Sequence, residues 1–290
     1  MNQIYHDDCL NILKTLPDNS VDAVITDPPY GYLKHKLDCP FDAQAVFTEC
    51  HRIIKDTGFL LFFGRGFEFA KWNVICSEFG FVFKEELIWY KKRPSNPMNA
   101  LLRIHEIANL LGKEKSKLNK VFTDKIEFDE QLSPSVTNDD CKRILTGIKR
   151  IKSYEDFIEW GKFTRKENIK HGITKRSPVL RRDRYFETFN SYQKGALCKS
   201  ILVAKKEHYQ FEHPTQKPVK LFKQLIELTT KENDLVIDPF AGSFTTAISC
   251  LELNRKYICI EKDKEYFEVG KNRIAKWHEE NNQKDLFSCN

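Results

Sequence analysis

Three short segments bring together residue types that do chemistry. Asp27-Pro28-Pro29-Tyr30 follows directly on the apolar run Val21 to Thr26. Neither proline can donate to a β-ladder and each fixes φ near about −65°, so the run ends in a rigid loop carrying a carboxylate and an aromatic ring. Open α/β sheets bind ligands at the carboxyl ends of their strands, which makes Asp27 a candidate to hold a polar group and Tyr30 a candidate to stack on a flat one. A plain turn with a buried tyrosine is the structural alternative.

The second segment runs Leu235-Val236-Ile237-Asp238-Pro239-Phe240-Ala241-Gly242-Ser243-Phe244-Thr245-Thr246, a strand passing through a small-residue loop into a helix. Gly242 permits close backbone approach to a ligand, and Asp238 supplies a carboxylate at the strand end. The next strand, Tyr257 to Ile260, ends in Glu261, and an acid there is placed to hold a ribose diol. No lysine follows the loop, which excludes a phosphate-cradling nucleoside triphosphatase loop. The third segment, His213-Pro214-Thr215-Gln216-Lys217-Pro218, precedes an amphipathic stretch, with Pro218 suited to the first helical position and Thr215 and Lys217 able to meet a carboxylate. Alone it reads as a loop and a helix start.

The elements that position these groups follow from periodicity. Buried strands are expected over Val21–Thr26 and Phe59–Phe63, a longer β run over Phe81–Tyr90 and another near Glu106–Leu111, with helices over Ala43–Lys55 and Phe67–Glu78. After Pro218 the same texture resumes: helices Val219–Thr230, Thr245–Leu253 and Lys264–Trp277, and strands Leu235–Ile237 and Tyr257–Ile260. From 113 to about 210 the alternation fades, apart from a helical pattern over Lys149–Trp160, and the polar tail after His278 is expected to be loose. Neither flank has enough strands for a doubly wound sheet. The expected fold is therefore α/β, one mostly parallel Rossmann-like sheet built from both chain ends, 1–111 and 212–290, with 112–211 inserted.

Charge separates the same blocks. The 290 residues carry a formal net charge of +6. Residues 112–211 hold 23 Lys or Arg against 14 Asp or Glu, a net of +9, which leaves the flanks at 6 − 9 = −3. Within the insertion, 162–206 has 13 basic and 3 acidic residues interleaved with Phe163, Tyr185, Phe186, Phe189 and Tyr192. That is the footprint of a phosphate-rich partner, set against the plainer reading of a solvated basic face. The longest stretch without a charge, Pro239 to Leu251, is too short for the roughly 20 apolar residues of a membrane span. Nine cysteines with no C-x-x-C pair argue against a disulfide framework or a zinc cluster, and point to reduced thiols in a cytoplasm with no metal.

In this order, D-P-P-Y, a basic variable region, H-P-T-Q-K-P and then D-P-F-x-G-S, the chain resembles the beta-type amino-methylating DNA methyltransferases. The resemblance covers residues 1–111 and 212–277. It implies a Rossmann-like fold, S-adenosylmethionine as cofactor and an inserted region that recognises the target sequence. It further implies that Asp27, Pro28, Pro29 and Tyr30 form the catalytic loop, with Asp27 also bordering the cofactor, and that Asp238, Phe240, Gly242 and Ser243 line the cofactor. Glu261 holds its ribose, Thr215 and Lys217 approach its methionine end, and Asp8-Cys9 lie near its adenine. Leu87 to Lys91 resembles a strand bordering the target-base pocket, so Lys91, with Arg181, Arg182 and Arg184 of the insertion, is expected to meet DNA. Two positions depart from the family pattern: Phe244 and Asp7 stand where Gly is usual.

The activity implied is methyl transfer to the exocyclic N6 amine of a flipped adenine in double-stranded DNA. A homodimer and a cognate restriction endonuclease are further partners compatible with it. The alternatives are the N4 amine of cytosine, for which the geometry is the same, and a DNA-binding paralogue weakened in catalysis.

Overall fold

A computed structural model describes residues 2–31, 38–91, 104–123, 196–198, 200–204 and 216–287. The chain divides into a compact unit of Met1–Val121 with Lys199–Asn290 and a second unit, Phe122–Cys198. In the second, a short antiparallel pair, β6 (Phe122–Thr123) with β7 (Ala196–Leu197), is described. The helical pattern expected over Lys149–Trp160 lies outside the described residues.

The first unit is built on an eight-stranded sheet: β1 (Gln3–His6), β2 (Val21–Thr26), β3 (Ile54–Gly64), β4 (Val82–Tyr90), β5 (His105–Gly112), β8 (Ile201–Val203), β9 (Leu235–Asp238) and β10 (Lys256–Glu261). Their order across the sheet is β1-β10-β9-β2-β3-β5-β4-β8. Strands from the end of the chain therefore sit between β1 and β2, so neither flank forms the sheet without the other. Every pairing is parallel except those of β5, which runs against both β3 and β4. This single reversal matters for the site.

β2, β3, β9 and β10 are nearly continuous apolar runs because both faces are covered. Successive side chains point to opposite faces. Leu60 and Phe62 join Leu13, Phe47, Trp72, Ile237 and Ile258 in one buried cluster, whereas Phe63 stacks on Phe222 on the other side, centroids 6.1 Å apart. The first face is covered by α1 (Cys9–Leu13), α2 (Ala43–Ile53) and α3 (Gly66–Glu78), the second by α4 (Val219–Thr229), α5 (Thr245–Glu252) and α6 (Lys264–Phe287). Helix α2 starts because Asp42 caps it, accepting from Ala45 N at 2.9 Å, and it buries Val46, Phe47, Cys50 and Ile53 along one stripe.

Four expectations change. β8, unanticipated in the basic region, pairs with β4 through Ile88, Trp89 and Tyr90; at three residues it is too short to show a period. Helix α6 continues through the tail expected to be loose, ending at Phe287. Asn281 Nδ2 donates to Trp277 O at 2.8 Å there, and Lys276 pairs with Glu280 at 3.9 Å, so polar residues sustain a solvent-facing helix. Pro218 stands one place before α4 as its N-cap, its carbonyl accepting from Leu221 N at 3.2 Å. β3 begins at Ile54, earlier than the apolar run at Phe59, because Ile54 already pairs with Val21.

Candidate active site

The carboxyl ends of β2, β3, β9, β10 and β4 lie along one edge of the sheet. β2 stops at Thr26 and the Pro-Pro loop presents Asp27 and Tyr30 there. The Tyr30 hydroxyl donates to Asp27 Oδ1, and the Lys217 ammonium donates to Asp27 Oδ2. Because β5 is reversed, its first residues lie beside the end of β3, with Ile107 opposite Gly64 and Glu106 opposite Trp89 of β4. Glu106 thus reaches the same place: its Oε2 lies 3.1 Å from the Lys217 ammonium, and its Oε1 accepts from Lys91 at 2.9 Å. Two carboxylates and two ammoniums alternate in one chain, Asp27–Lys217–Glu106–Lys91. Aromatic walls enclose it, the Lys217 ammonium lying 4.9 Å from the Phe63 ring centroid and Lys91 5.7 Å from that of Trp89. Trp89 is itself anchored by its indole N–H, which donates to Ala204 O at 2.9 Å.

Within this chain opposite charges work against burial. Burial opposes ionisation of Glu106, but Lys217 and Lys91 outweigh it and hold the carboxyl down at about 2. Burial also opposes the Lys217 ammonium, yet Asp27 and Glu106 raise it above the ordinary lysine value. Asp27 is pushed upward by burial, against the pull of Lys217, with Glu106 adding to the push. Its side chain is 20% exposed and that of Glu106 16%, against 8% for Lys217 and 3% for Lys91, so the two carboxylates open outward more than the ammoniums, Asp27 the most.

Along the same edge, a second cluster surrounds the loop after β9. Gly242 turns with φ 52° and its N–H donates to Glu261 Oε2 at 2.8 Å, while Asp263 N–H donates to Oε1 at 2.7 Å. Each Glu261 oxygen retains a second lone pair for a diol. Asp8 caps α1, accepting from Leu10 N at 3.0 Å, and pairs with Lys262 at 2.9 Å. Cys9 beside it is buried, and burial pushes its thiol up to about 12, so it is unreactive. Ser243 Oγ donates to Gln216 Oε1 at 3.2 Å, and Arg273 of α6 donates to both the Ser243 carbonyl and its hydroxyl, the latter at 2.9 Å.

Asp238 faces inward. It is 3% exposed and accepts from Thr26 Oγ1 at 2.8 Å, from Thr246 Oγ1 and from Phe240 N at 3.1 Å. All its donors are neutral, and burial pushes its carboxyl up to about 6. It ties β9, β2 and α5 together beneath the loop. Phe244 adopts left-handed backbone, φ 59° and ψ 38°, where a side chain is strained, and is fully buried. Its ring meets Phe267 edge-on at 5.7 Å and lies against Gly270, where an added Cβ would come within 2.5 Å of it. Phe244 thus holds a backbone conformation that favours glycine and fills a gap that Gly270 leaves in α6.

Aromatic rings join the two clusters. Tyr30 lies 6.4 Å from Trp72, Trp72 5.3 Å from Phe41, and Phe41 4.9 Å from Phe240. The structure therefore brings together Asp27, Tyr30 and Lys217, and separately Gly242, Ser243, Glu261 and Phe240, with Asp8 and Cys9 at the neighbouring strand end. Lys217 meets Asp27, and Lys91 meets Glu106 in the interior and not an open surface, because the neighbouring carboxylate compensates its desolvation. Thr215, Arg181, Arg182 and Arg184 lie outside the described residues. Glu106, Trp72, Phe41 and Arg273 escaped the sequence reading. An acid at the start of the largely apolar stretch Ile107–Leu111 was the one available signal, for Glu106. No group of three or more potential metal ligands occurs among the described residues, and none of their helices is long and apolar enough to span a membrane.

A family model for DNA methylases of the N6/N4 type matches residues 21–272. The chain belongs to the N6/N4 DNA methylase family. Among curated members of this methylase family, it is 25% identical over 299 residues to the type II methyltransferase M.BglII of Bacillus subtilis, covering 97% of this chain and 71% of that one. It is 26% identical over 323 residues to the type II methyltransferase M.HindIII of Haemophilus influenzae, covering 94% of both. Of solved structures, the M1.HpyAVI–SAM complex superposes with a TM-score of 0.57 at 25% identity, covering 94% of this methylase and all of that chain. The cytosine-N4-specific PvuII DNA methyltransferase shares the fold, with a TM-score of 0.57 at 16% identity over 93% of this chain and 86% of that one.

Proposed function

We propose that this methylase transfers a methyl group from S-adenosylmethionine to the N6 amine of an adenine flipped out of duplex DNA, within a restriction-modification system. The observation that carries the reading is the Asp27 carboxylate, held on a rigid loop beside Tyr30 and opening outward at the sheet edge. The donor set of the second cluster fits the cofactor. Glu261 keeps acceptor capacity for a ribose diol, Gly242 and Ser243 border it, and Phe240 and Asp8 flank it, while Asp238 acts from below by fixing the loop. When bound, the cofactor supplies an electrophilic methyl.

The rest falls to the chain. An adenine amine is a poor nucleophile because its lone pair is delocalised into the ring. The Asp27 carboxylate and a backbone carbonyl near Pro28 accept the two amino hydrogens, favouring rehybridisation so that the lone pair points at the methyl. Rate comes from positioning and charge stabilisation, not from a covalent intermediate, and the cysteines need no catalytic role. Extruding the base costs a few kcal/mol, part of which Tyr30 offsets by stacking. The proton leaves to water once nitrogen carries positive charge. The inserted region 112–211, with Arg181, Arg182 and Arg184, contacts the duplex and selects the site.

Methylating unmethylated genomic DNA with labelled S-adenosylmethionine and digesting it to nucleosides tests this directly. N6-methyladenine is the expected product. N4-methylcytosine would move the function to the second reading, which the family's coverage of both amines keeps open. Cofactor binding without any methylated nucleoside would reduce the protein to a DNA-binding paralogue.

A further inference from the structure

Within the four-charge chain one acceptor is left over. Glu106 Oε2 is buried and accepts no hydrogen bond, although the Lys217 ammonium lies 3.1 Å away and donates to Asp27 instead. Each Asp27 oxygen already accepts one donor, Oδ1 the Tyr30 hydroxyl and Oδ2 the Lys217 ammonium. An amine that approaches Oδ2 therefore competes with the Lys217 ammonium for that oxygen.

We propose that Glu106 is a positioning residue for methyl transfer, its vacant Oε2 taking over the Lys217 ammonium as the target amine takes Asp27. Lys217 has three N–H donors on a flexible stem, so it can pass from one carboxylate to the other at short range. Lys217 keeps a carboxylate beside it throughout, Glu106 stays anchored by Lys91 through Oε1, and the charge left on Asp27 faces the amine that becomes positive in the transfer. With a neutral group at position 106, Lys217 would lose its second counter-ion, remain on Asp27 and compete with the amine. The inference rests on the proposed function.

The groups facing Asp27 fix the expected pH response. Lys217 meets it from the segment before α4, Glu106 from β5 with Lys91 of β4 behind, Tyr30 from its own loop and Asp238 from β9. Burial and then the Glu106 charge push Asp27 up, while Lys217 and Tyr30 pull it down. Removing the charge of Glu106 lowers the Asp27 pKa, so ionised Asp27 persists to lower pH.

The test uses the full-length chain, unmethylated genomic DNA and labelled S-adenosylmethionine. Glu106→Gln is expected to lower kcat tenfold or more, leave KM for the cofactor within threefold, and move the acid limb of kcat to lower pH. Glu106→Asp keeps the charge but shortens the reach; its kcat should fall threefold or more, less than in Glu106→Gln, with the acid limb where wild type has it. Wild-type kcat in Glu106→Gln would show that Lys217 never leaves Asp27, or that Tyr30 is the donor that leaves, and would overturn the proposal. A fall in kcat with an unmoved acid limb would mark Glu106 as merely structural and overturn it too. Should Glu106→Gln not fold, Glu106→Asp decides, and wild-type kcat in it overturns the proposal. A wild-type enzyme that binds cofactor yet methylates nothing would fail the proposed function instead, which keeps the two outcomes apart.

Discussion

Two pairs of carboxylates stand along the same sheet edge and are stabilised in opposite ways. Asp27 and Glu106 face ammonium groups, whereas Asp238 and Glu261 face only hydroxyls and backbone N–H groups. The first pair forms part of a charge-balanced chain from which Asp27 opens outward. The second is a scaffold of neutral donors in which Asp238 is shut in and Glu261 holds the loop. The contrast separates a site where charge is made available to a reacting amine from one where carboxylates shape a binding loop without carrying counter-ions.

Replacing the reactive member should have the largest effect. Asp27→Ala removes the acceptor for the amine, and loss of one preorganised transition-state contact costs about a hundredfold to a thousandfold in kcat. Cofactor affinity measured by calorimetry should stay within threefold. Activity within threefold of wild type would erase the distinction between the two pairs.

In the scaffold region the greatest effect is expected on stability. Phe244→Gly relieves left-handed strain of about 1 to 3 kcal/mol but loses a fully buried aromatic against Phe267 and Gly270, where burial is worth about 3 to 5 kcal/mol. A net destabilisation of about 1 to 3 kcal/mol in urea titration is expected, with cofactor affinity unchanged. Tighter cofactor binding at an unchanged melting temperature would mean that Phe244 crowds the loop instead.

The neutral donors around Asp238 predict a pH signature. Its carboxyl is raised from an ordinary 3.8 to about 6, so the folded protein binds the proton more tightly than the unfolded chain. The resulting stability is fully present below about 4 and is lost as pH rises through about 6, amounting to at most about 3 kcal/mol. Comparing urea midpoints of wild type and Asp238→Asn between pH 4 and 7 checks the sign. The variant should lose this falling slope; an identical profile in both would show that another group is responsible.

Glu261→Ala should act on cofactor binding alone, with a loss of about 1 to 3 kcal/mol from a missing ribose acceptor and a released Gly242 N–H. An unchanged dissociation constant would place Glu261 with Asp238 as pure scaffold.

Much of this was legible along the chain. Apolar runs in β2, β3, β9 and β10 declare strands buried on both faces, the stripe in α2 declares its inward side, and two prolines end β2 where Asp27 must emerge. The small-residue loop at Gly242 and the acid at Glu261 follow from the same local chemistry. These features are written within a few neighbouring residues, where steric and hydrophobic preferences act.

Tertiary structure alone decided the rest. The insertion of β9 and β10 between β1 and β2, the pairing of three-residue β8, and the reversal of β5 that delivers Glu106 are choices among strand partners, to which local periodicity is blind. Lys217 reaches Asp27 from 190 positions away, and Phe244 can be a phenylalanine because Gly270, on another helix, leaves it room. Desolvation and Coulomb attraction depend on distance in space, so the state of each buried charge was settled only when folding fixed which opposite charge lay beside it.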